Sequence, residues 1–429
     1  MIYFKDQTSR GRTNQLYNYD CCPNVSKTMS GLRFYEPTFR LNIISAVSAT
    51  GVTENRRTFA NEIRINKTTL WLVALLWAAA VNAQSSMDTR LITIEEHFAD
   101  PRLTEADARW RPKAELTDEQ REVMAFFSSR MNLTEQLADL SEKRIPHMDS
   151  QHIRMQILSY TSLIGDYVPA TEAVKIAREA NDLLAERIKE HHDRFRTMAT
   201  LPLADPKAAA SELERCVREL GFVGVLLYGQ HKGHWLDELQ FLPIFEKAAE
   251  LDVPVYLHPA LINPAVQQAM YMSPAYSAVT GAELSSAAIG WHYDVGIQAV
   301  RLILAGLFDK LPTLKVISGH WGEGIPMFLD RMNHQLTPDM TGLQHDFAYY
   351  YKRNIYLTPS GIMSDINLRT MVELMGADHI LYAEDYPYEQ PSDFHDFLMC
   401  SSLTDEQKQL IAHKNVERIF FKCNVNQTH

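Results

Sequence analysis

The chain has 429 residues, 46% of them hydrophobic, and a formal net charge of −11, which is ample for one large folded domain or two ordinary ones. That acidic balance, with no dominant block of Lys and Arg, excludes nucleic acid as the main partner, because such binding rests on phosphate neutralisation. Five scattered cysteines, Cys21, Cys22, Cys216, Cys400 and Cys423, form neither a CxxC pair nor an even framework, so they are expected as packing or surface thiols rather than staples.

Residues 1–60 are rich in Asn, Thr, Ser, Arg and Tyr without helix or strand periodicity, which reads as disorder or as a start placed too far upstream. Segment 61–86 looks like a signal peptide. Its apolar run Leu70–Val81 (LWLVALLWAAAV) follows Arg64 and Lys67 and precedes Asn82-Ala83-Gln84, and it is too short for a typical membrane span. A buried helix is the other reading, and the 69 residues in front are longer than a usual leader allows. Use of the 61–83 leader implies the secretory pathway, whereas translation from Met87 implies a cytoplasmic protein. No stable membrane span is expected.

From Arg90 onward short apolar runs alternate with helix-period segments, the pattern of repeated βα units. Eight strands are predicted, at 91–96, 153–159, 195–201, 222–228, 253–258, 314–319, 354–358 and 379–384. Over 87–429 they fit an α/β fold, a (β/α)8 barrel with insertions after strands 1 and 5. Thr117-Asp-Glu-Gln and Thr404-Asp-Glu-Gln are predicted capping boxes. The two insertions, about 98–150 and 259–290, leave from the rim where barrels bind substrates. The second contains Pro259, Pro264, Met270, Tyr271, Met272, Pro274 and Tyr276, residues that either wall a ligand or simply pack the loop.

Chemistry collects at the predicted strand ends. Glu95 and His97 close the first strand two residues apart, a spacing that aims both side chains to one side. His258 closes the fifth, where Pro259 ends the ladder. His320 closes the sixth among glycines, and Asp385 follows the eighth. Carboxylates and imidazoles converging from four strand ends are expected to form a divalent-metal site. His147, His152 and His292 are expected to be structural.

The motifs Glu-Glu-His-Phe at 95–98, Leu-His-Pro at 257–259, Gly-His-Trp-Gly-Glu-Gly-Ile-Pro at 319–326 and Asp-Tyr-Pro at 385–387 resemble the amidohydrolase-2 branch of the amidohydrolase superfamily. Within it the likeness is to nonoxidative aromatic acid decarboxylases, the group acting on 2,3-dihydroxybenzoate, γ-resorcylate and 5-carboxyvanillate. It runs from about residue 90 to the Asn415-Val-Glu-Arg-Ile-Phe ending. The resemblance implies that Glu95, His97, His258 and Asp385 hold one divalent ion, zinc before manganese or magnesium. It also implies that His320 stands beside the ion, that Glu323 orients His320, and that Arg331 contacts substrate. A homo-oligomer, dimer or tetramer, is implied in the same way. Many superfamily hydrolases begin with His-x-His and bridge two metals with a lysine after the fourth strand. Here the motif is Glu-x-His and the fourth strand ends Leu227-Tyr228-Gly229, so one metal is expected.

The implied reaction is nonoxidative decarboxylation of an ortho-hydroxybenzoate, a small aromatic carboxylic acid, with Asp385 delivering a proton to the ring and His320 managing the phenolic proton. Two alternatives stay open: hydrolysis of a lactone or amide by a metal-bound water with Asp385 as base, and a secreted binding protein on a barrel that has lost catalysis.

Overall fold

Runs rich in Val, Ile and Leu, each bounded by polar or glycine-containing segments, form strands buried on both faces, as a parallel sheet covered by helices requires. In a computed structural model, which describes residues 88–421 apart from 114, 131, 132, 162 and 163, seven strands pair in parallel in sequence order. They are β1 (Leu91–Phe98), β2 (Ile153–Tyr160), β3 (Phe195–Ala199), β4 (Gly224–Tyr228), β5 (Val255–His258), β6 (Val316–Ser318) and β7 (Ile355–Leu357). The eighth expected strand, 379–384, pairs through single bridges, Leu357 with Ile380 and Thr93 with Tyr382. The Leu381 amide donates to the Leu357 carbonyl at 2.8 Å and the Ile94 amide to the Tyr382 carbonyl at 3.0 Å. This segment therefore touches both edges of the curled sheet, and the architecture is the predicted barrel with a short eighth stave.

Side chains alternate along each strand between two apolar clusters. Ile92, Ile94, Ile157, Leu226, Tyr256, Ile317, Tyr356 and Leu381 belong to the inner cluster, while Leu91, Leu158, Val225, Val255, Leu257, Val316 and Leu357 face the helices. The outer helices bury stripes of the expected period: Ala173, Ile176, Ala177, Ala180 and Leu184 are the apolar buried face of helix Ala170–Arg187. Helix Asn415–Phe420 adds Val416, Ile419 and Phe420 to the inner cluster and packs against the start of β4 near Gly224. The site must therefore lie at the other end, where the strands finish.

Both insertions are built as expected of rim excursions. The first carries helices Pro101–Ala108, Asp118–Arg130, Thr134–Ala138 and Arg144–Ser150, and the second Pro264–Met270, Ala278–Glu283 and a π-helical turn, Leu284–Ala288. Helix Asp118–Arg130 packs against helix Ala278–Glu283. Both capping boxes form: the Gln120 amide donates to Thr117 Oγ1 at 3.1 Å, the Thr117 amide to Gln120 Oε1 at 3.0 Å, and Thr404 with Gln407 repeats the arrangement. The Pro, Met and Tyr residues of the second insertion divide: Pro259 and Tyr271 are buried and Met272 half-buried, while Pro264, Met270, Pro274 and Tyr276 are exposed. Tyr276 Oη donates to the Tyr271 carbonyl at 2.8 Å. Residues 1–87, including the disorder-like 1–60 and the leader-like 61–86, lie outside the described residues. Among the described residues no helix is long and apolar enough to cross a membrane.

Candidate metal centre and active site

Continued alternation from Ile92 and Ile94, both inward, would turn Glu96 inward and Glu95 and His97 towards the helices. The pairing of β1 with β2 slips between Ile94 and Glu96, and Glu95 occupies the left-handed region at φ 63°. That bulge inserts one unpaired residue and reverses the phase. Glu95 and His97 consequently point into the barrel, and Glu96 turns outward to accept from the Glu384 and Tyr386 amides at 3.1 and 3.2 Å. The plain two-residue spacing predicted a shared side for Glu95 and His97, and the bulge decides which side that is.

Glu95, His97, His258 and Asp385 each present an atom within 4.8 Å of the others. His97 Nε2 lies 3.0 Å from Asp385 Oδ1, and His258 Nε2 lies 3.5 Å from Glu95 Oε1. Glu95 Oε1, His97 Nε2 and Asp385 Oδ1 are buried and have no hydrogen-bond partner among the described residues. Buried polar atoms are seldom left so. A cation at their meeting point would satisfy all three. His258 completes the set: its Nδ1 donates to the Pro259 carbonyl at 2.7 Å, which leaves the Nε2 lone pair facing the cluster. Burial, reinforced by nearby His97, holds the His258 pKa well below the ordinary histidine range, so the ring is neutral and able to ligate. Burial also raises the Glu95 carboxyl above its usual range, against the pull of His320. An ion among the four would reverse that penalty, and the donor set of two imidazoles and two carboxylates fits one divalent metal.

The second oxygen of Glu95 is held by residues without metal-ligating chemistry. Tyr256 Oη and Ser360 Oγ donate to Oε2, and Thr358 Oγ1 does so at 3.4 Å. Tyr256 precedes His258 by two residues on the same strand face, so its placement was readable from parity. Thr358 and Ser360 follow β7, which contributes no ligand and gave no signal. Gly319 permits this crowding, since a Cβ there would sit 2.8 Å from Tyr256 Oη. Glu95, His320, Glu323, Ser360 and Asp385 all have positive φ, from 45° to 70°. Such backbone costs about 1–3 kcal/mol per residue and persists where surrounding structure over-determines it.

His320 Nδ1 lies 2.9 Å from Glu323 Oε1. Burial works against the imidazolium, but Glu323, with Glu95 and Asp385, pushes its pKa up to about 10. His292, expected to be structural, instead bonds the other oxygen of Glu323 at 2.7 Å, with its ring 4.3 Å from that of His320. These three also lie within 4.8 Å of one another, but Glu323 is satisfied by the two imidazoles and requires no ion. His292 stands 31 residues from Glu323 with no linking spacing, so no sequence signal marked it. His147 bonds Glu384 at 2.8 Å, and His152 stacks on His395 at 4.4 Å.

The metal cluster and His320 border a cavity of about 290 Å³, walled by Tyr228, Leu261, Trp291 and Tyr388. No lysine or arginine lines it among the described residues. The end of β4 supplies Tyr228, whose ring lies 4.8 Å from that of His258, where a bridging lysine would stand in a two-metal site. Arg331 is exposed on helix Leu329–Gln335 and lines neither this cavity nor the larger one beside it.

Residues 95–422 match the family model described as amidohydrolase. The chain is 33% identical over 342 residues to the γ-resorcylate decarboxylase of Polaromonas sp. (strain JS666), covering 77% of this chain and 98% of that one. Its structure resembles dihydroxybenzoic acid decarboxylase from Polaromonas sp. JS666, solved with manganese and the inhibitor 2-nitroresorcinol, with TM-score 0.65, 32% identity and coverage of 77% and 96%. It also resembles 5-carboxyvanillate decarboxylase from Sphingomonas paucimobilis, with TM-score 0.69, 28% identity and coverage of 78% and 99%.

Proposed function

The chain belongs to the amidohydrolase family, and from that premise we propose that it is a carboxy-lyase, a metal-dependent enzyme that removes carbon dioxide nonoxidatively from an ortho-hydroxybenzoate-type acid. The observation that carries this reading is the meeting of three orphaned ligand atoms with the His320–Glu323 pair at one small, aromatic-walled cavity.

Glu95, His97, His258 and Asp385 are the proposed ligands. When bound, the ion supplies the positive charge that orients an aryl carboxylate and its neighbouring phenolic oxygen and offsets their charge. Asp385, which would hold the ion through Oδ1, carries a water-derived proton on Oδ2 and delivers it to the ring carbon that bears the carboxylate. The carbon–carbon bond to the carboxylate then breaks, its electron pair restores the aromatic ring, and carbon dioxide leaves. His320 has Nδ1 committed to Glu323, so Nε2 is the atom that exchanges the phenolic proton. Tyr228, Trp291 and Tyr388 wall the ring and limit water.

The two imidazoles suit zinc, the ion the resemblance implies first, and the two carboxylates suit manganese, the ion in the Polaromonas structure. Elemental analysis of the purified protein separates them. Met327 and Phe328 are exposed beside the helix that carries Arg331, which supports the expected homo-oligomer. The test of function is a panel of ortho-hydroxybenzoates assayed for carbon dioxide, run beside lactones and amides assayed for hydrolysis. Carbon dioxide from the acids supports the lyase, and hydrolysis alone replaces it with the metal-dependent hydrolase.

A further inference from the structure

A second cavity of about 610 Å³ lies between the two rim insertions, bordered by Val123, Met124, Phe127 and Leu133 on one side and Ala282 on the other. It shares Leu261, Ala287, Trp291, Tyr388 and Glu389 with the 290 Å³ cavity over the metal ligands. The two spaces thus adjoin at the rim, where the same five side chains border both. The inner one is at the small end of ligand pockets, about 300–1,000 Å³, and suits a single substituted ring. The outer one is twice that size and has no part in the chemistry derived above.

We propose that the outer chamber receives an apolar substituent of the substrate, an alkyl chain carried by the hydroxybenzoate ring, so that the preferred substrates are alkyl-substituted hydroxybenzoates rather than the bare ring acids.

Three observations argue for an apolar occupant. Met124 and Leu261 border the chamber yet are 55% and 84% exposed, and apolar surface left in water is what a hydrophobic ligand covers favourably. Polar groups on the wall are engaged with one another: Gln267 Nε2 donates to Ser285 Oγ at 2.7 Å, and Ser285 Oγ and Ser286 Oγ each donate to the Ala282 carbonyl at 2.8 Å. No lysine or arginine lines the chamber among the described residues, while Glu283 and Glu389 do, so a second carboxylate on the ring would meet like charge and no partner.

The inference rests on the decarboxylase reading, and the experiment keeps the two apart. The manganese-loaded enzyme is assayed for carbon dioxide on hydroxybenzoates bearing straight alkyl chains of increasing length, and binding of the same acids is followed by calorimetry. Apolar burial of about 0.8 kcal/mol per methylene corresponds to a gain of roughly fourfold in kcat/KM for each added carbon, carried by KM rather than kcat. Ala282→Trp fills the chamber from one side and Met124→Trp from the other. Each is expected to collapse the ratio of kcat/KM for long-chain over unsubstituted acid towards one, a ratio that cancels any loss of folded protein. A flat chain-length series, or a ratio that survives both substitutions, overturns the chamber and leaves the reaction standing. A chain-length trend in Kd with no carbon dioxide from any acid keeps the chamber and overturns the reaction.

Discussion

His292 Nδ1 lies 2.7 Å from Glu323 Oε2, so the carboxylate that fixes His320 is itself fixed from its far oxygen. With His320 bonded to Oε1 at 2.9 Å, Glu323 cannot turn without breaking one contact. On the proposed mechanism His292 is a positioning residue, acting on the reaction through Glu323. His292→Ala is expected to lower kcat by about 10–100-fold, the usual scale for an orienting partner, with metal content unchanged and with partial rescue in His292→Gln. Steady-state kinetics alongside elemental analysis check this, and an unaltered kcat would remove the residue from the mechanism.

The proposed mechanism gives His320 the proton exchange itself, so its loss should be felt more strongly. We expect His320→Ala to keep the ion and to lose about 10²–10⁴-fold in kcat. Near-normal carbon dioxide release from that variant would remove His320 from the mechanism.

Chelation should abolish turnover, and added divalent ion should restore it. The metal-free protein keeps Glu95 buried near Asp385, and an ion at 100 times its Kd contributes about 2.7 kcal/mol to the folded state. Tm should therefore rise with ion concentration in the wild type, and that rise should disappear in His258→Ala. Tm independent of added ion would contradict the four-ligand assignment.

In chelated protein the His320 imidazolium is a stabilising group, because its pKa stands at about 10 against an ordinary 6.5. A value raised on folding contributes stability that is complete below about pH 6.5 and is lost as pH climbs through 10. The Tm gap between chelated wild type and chelated His320→Gln should accordingly shrink across that window. A gap that widens with pH would reverse the assigned sign.

Arg144 is fully buried behind β1, where it donates to the His97 carbonyl at 2.6 Å and to Gln156 Oε1 at 3.2 Å and stands 4.5 Å above the Tyr386 ring. Burial lowers its pKa to about 10, still charged at neutral pH. Arg144→Met should cost about 1–3 kcal/mol, the range for leaving buried acceptors unpaired, read as a fall in the urea midpoint of the metal-loaded protein. A midpoint within error of wild type would show that Gln156 and the Tyr386 ring suffice without it.

The site was legible where chemistry and strand ends coincide. Glu95, His97, His258 and Asp385 are uncommon residue types at the close of apolar runs, and Tyr256 shares the phase of His258. Contacts made by chain segments distant in sequence left no trace. His292 reaches Glu323 from helix Gly290–Leu304, past the second insertion, and Thr358 and Ser360 reach Glu95 from the segment after β7, a strand with no ligand of its own. The eighth stave was readable as an apolar run, but its pairing narrows to two bridges because residues past Tyr382 are drawn into contacts with Glu96.

The glutamate doublet at 95 and 96 divides two duties that one residue could not combine. Deleting either would leave Ile94-Glu-His in unbroken pleat: the histidine would still face inward, while the single glutamate would face the Arg144 side. The ion would lose one of its four grips without any change in which residue types the chain carries. Alignments that slide across this pair therefore misassign the ligand, and substitutions at the two neighbours should have unrelated phenotypes, failed metal retention at one and a loosened outer layer at the other.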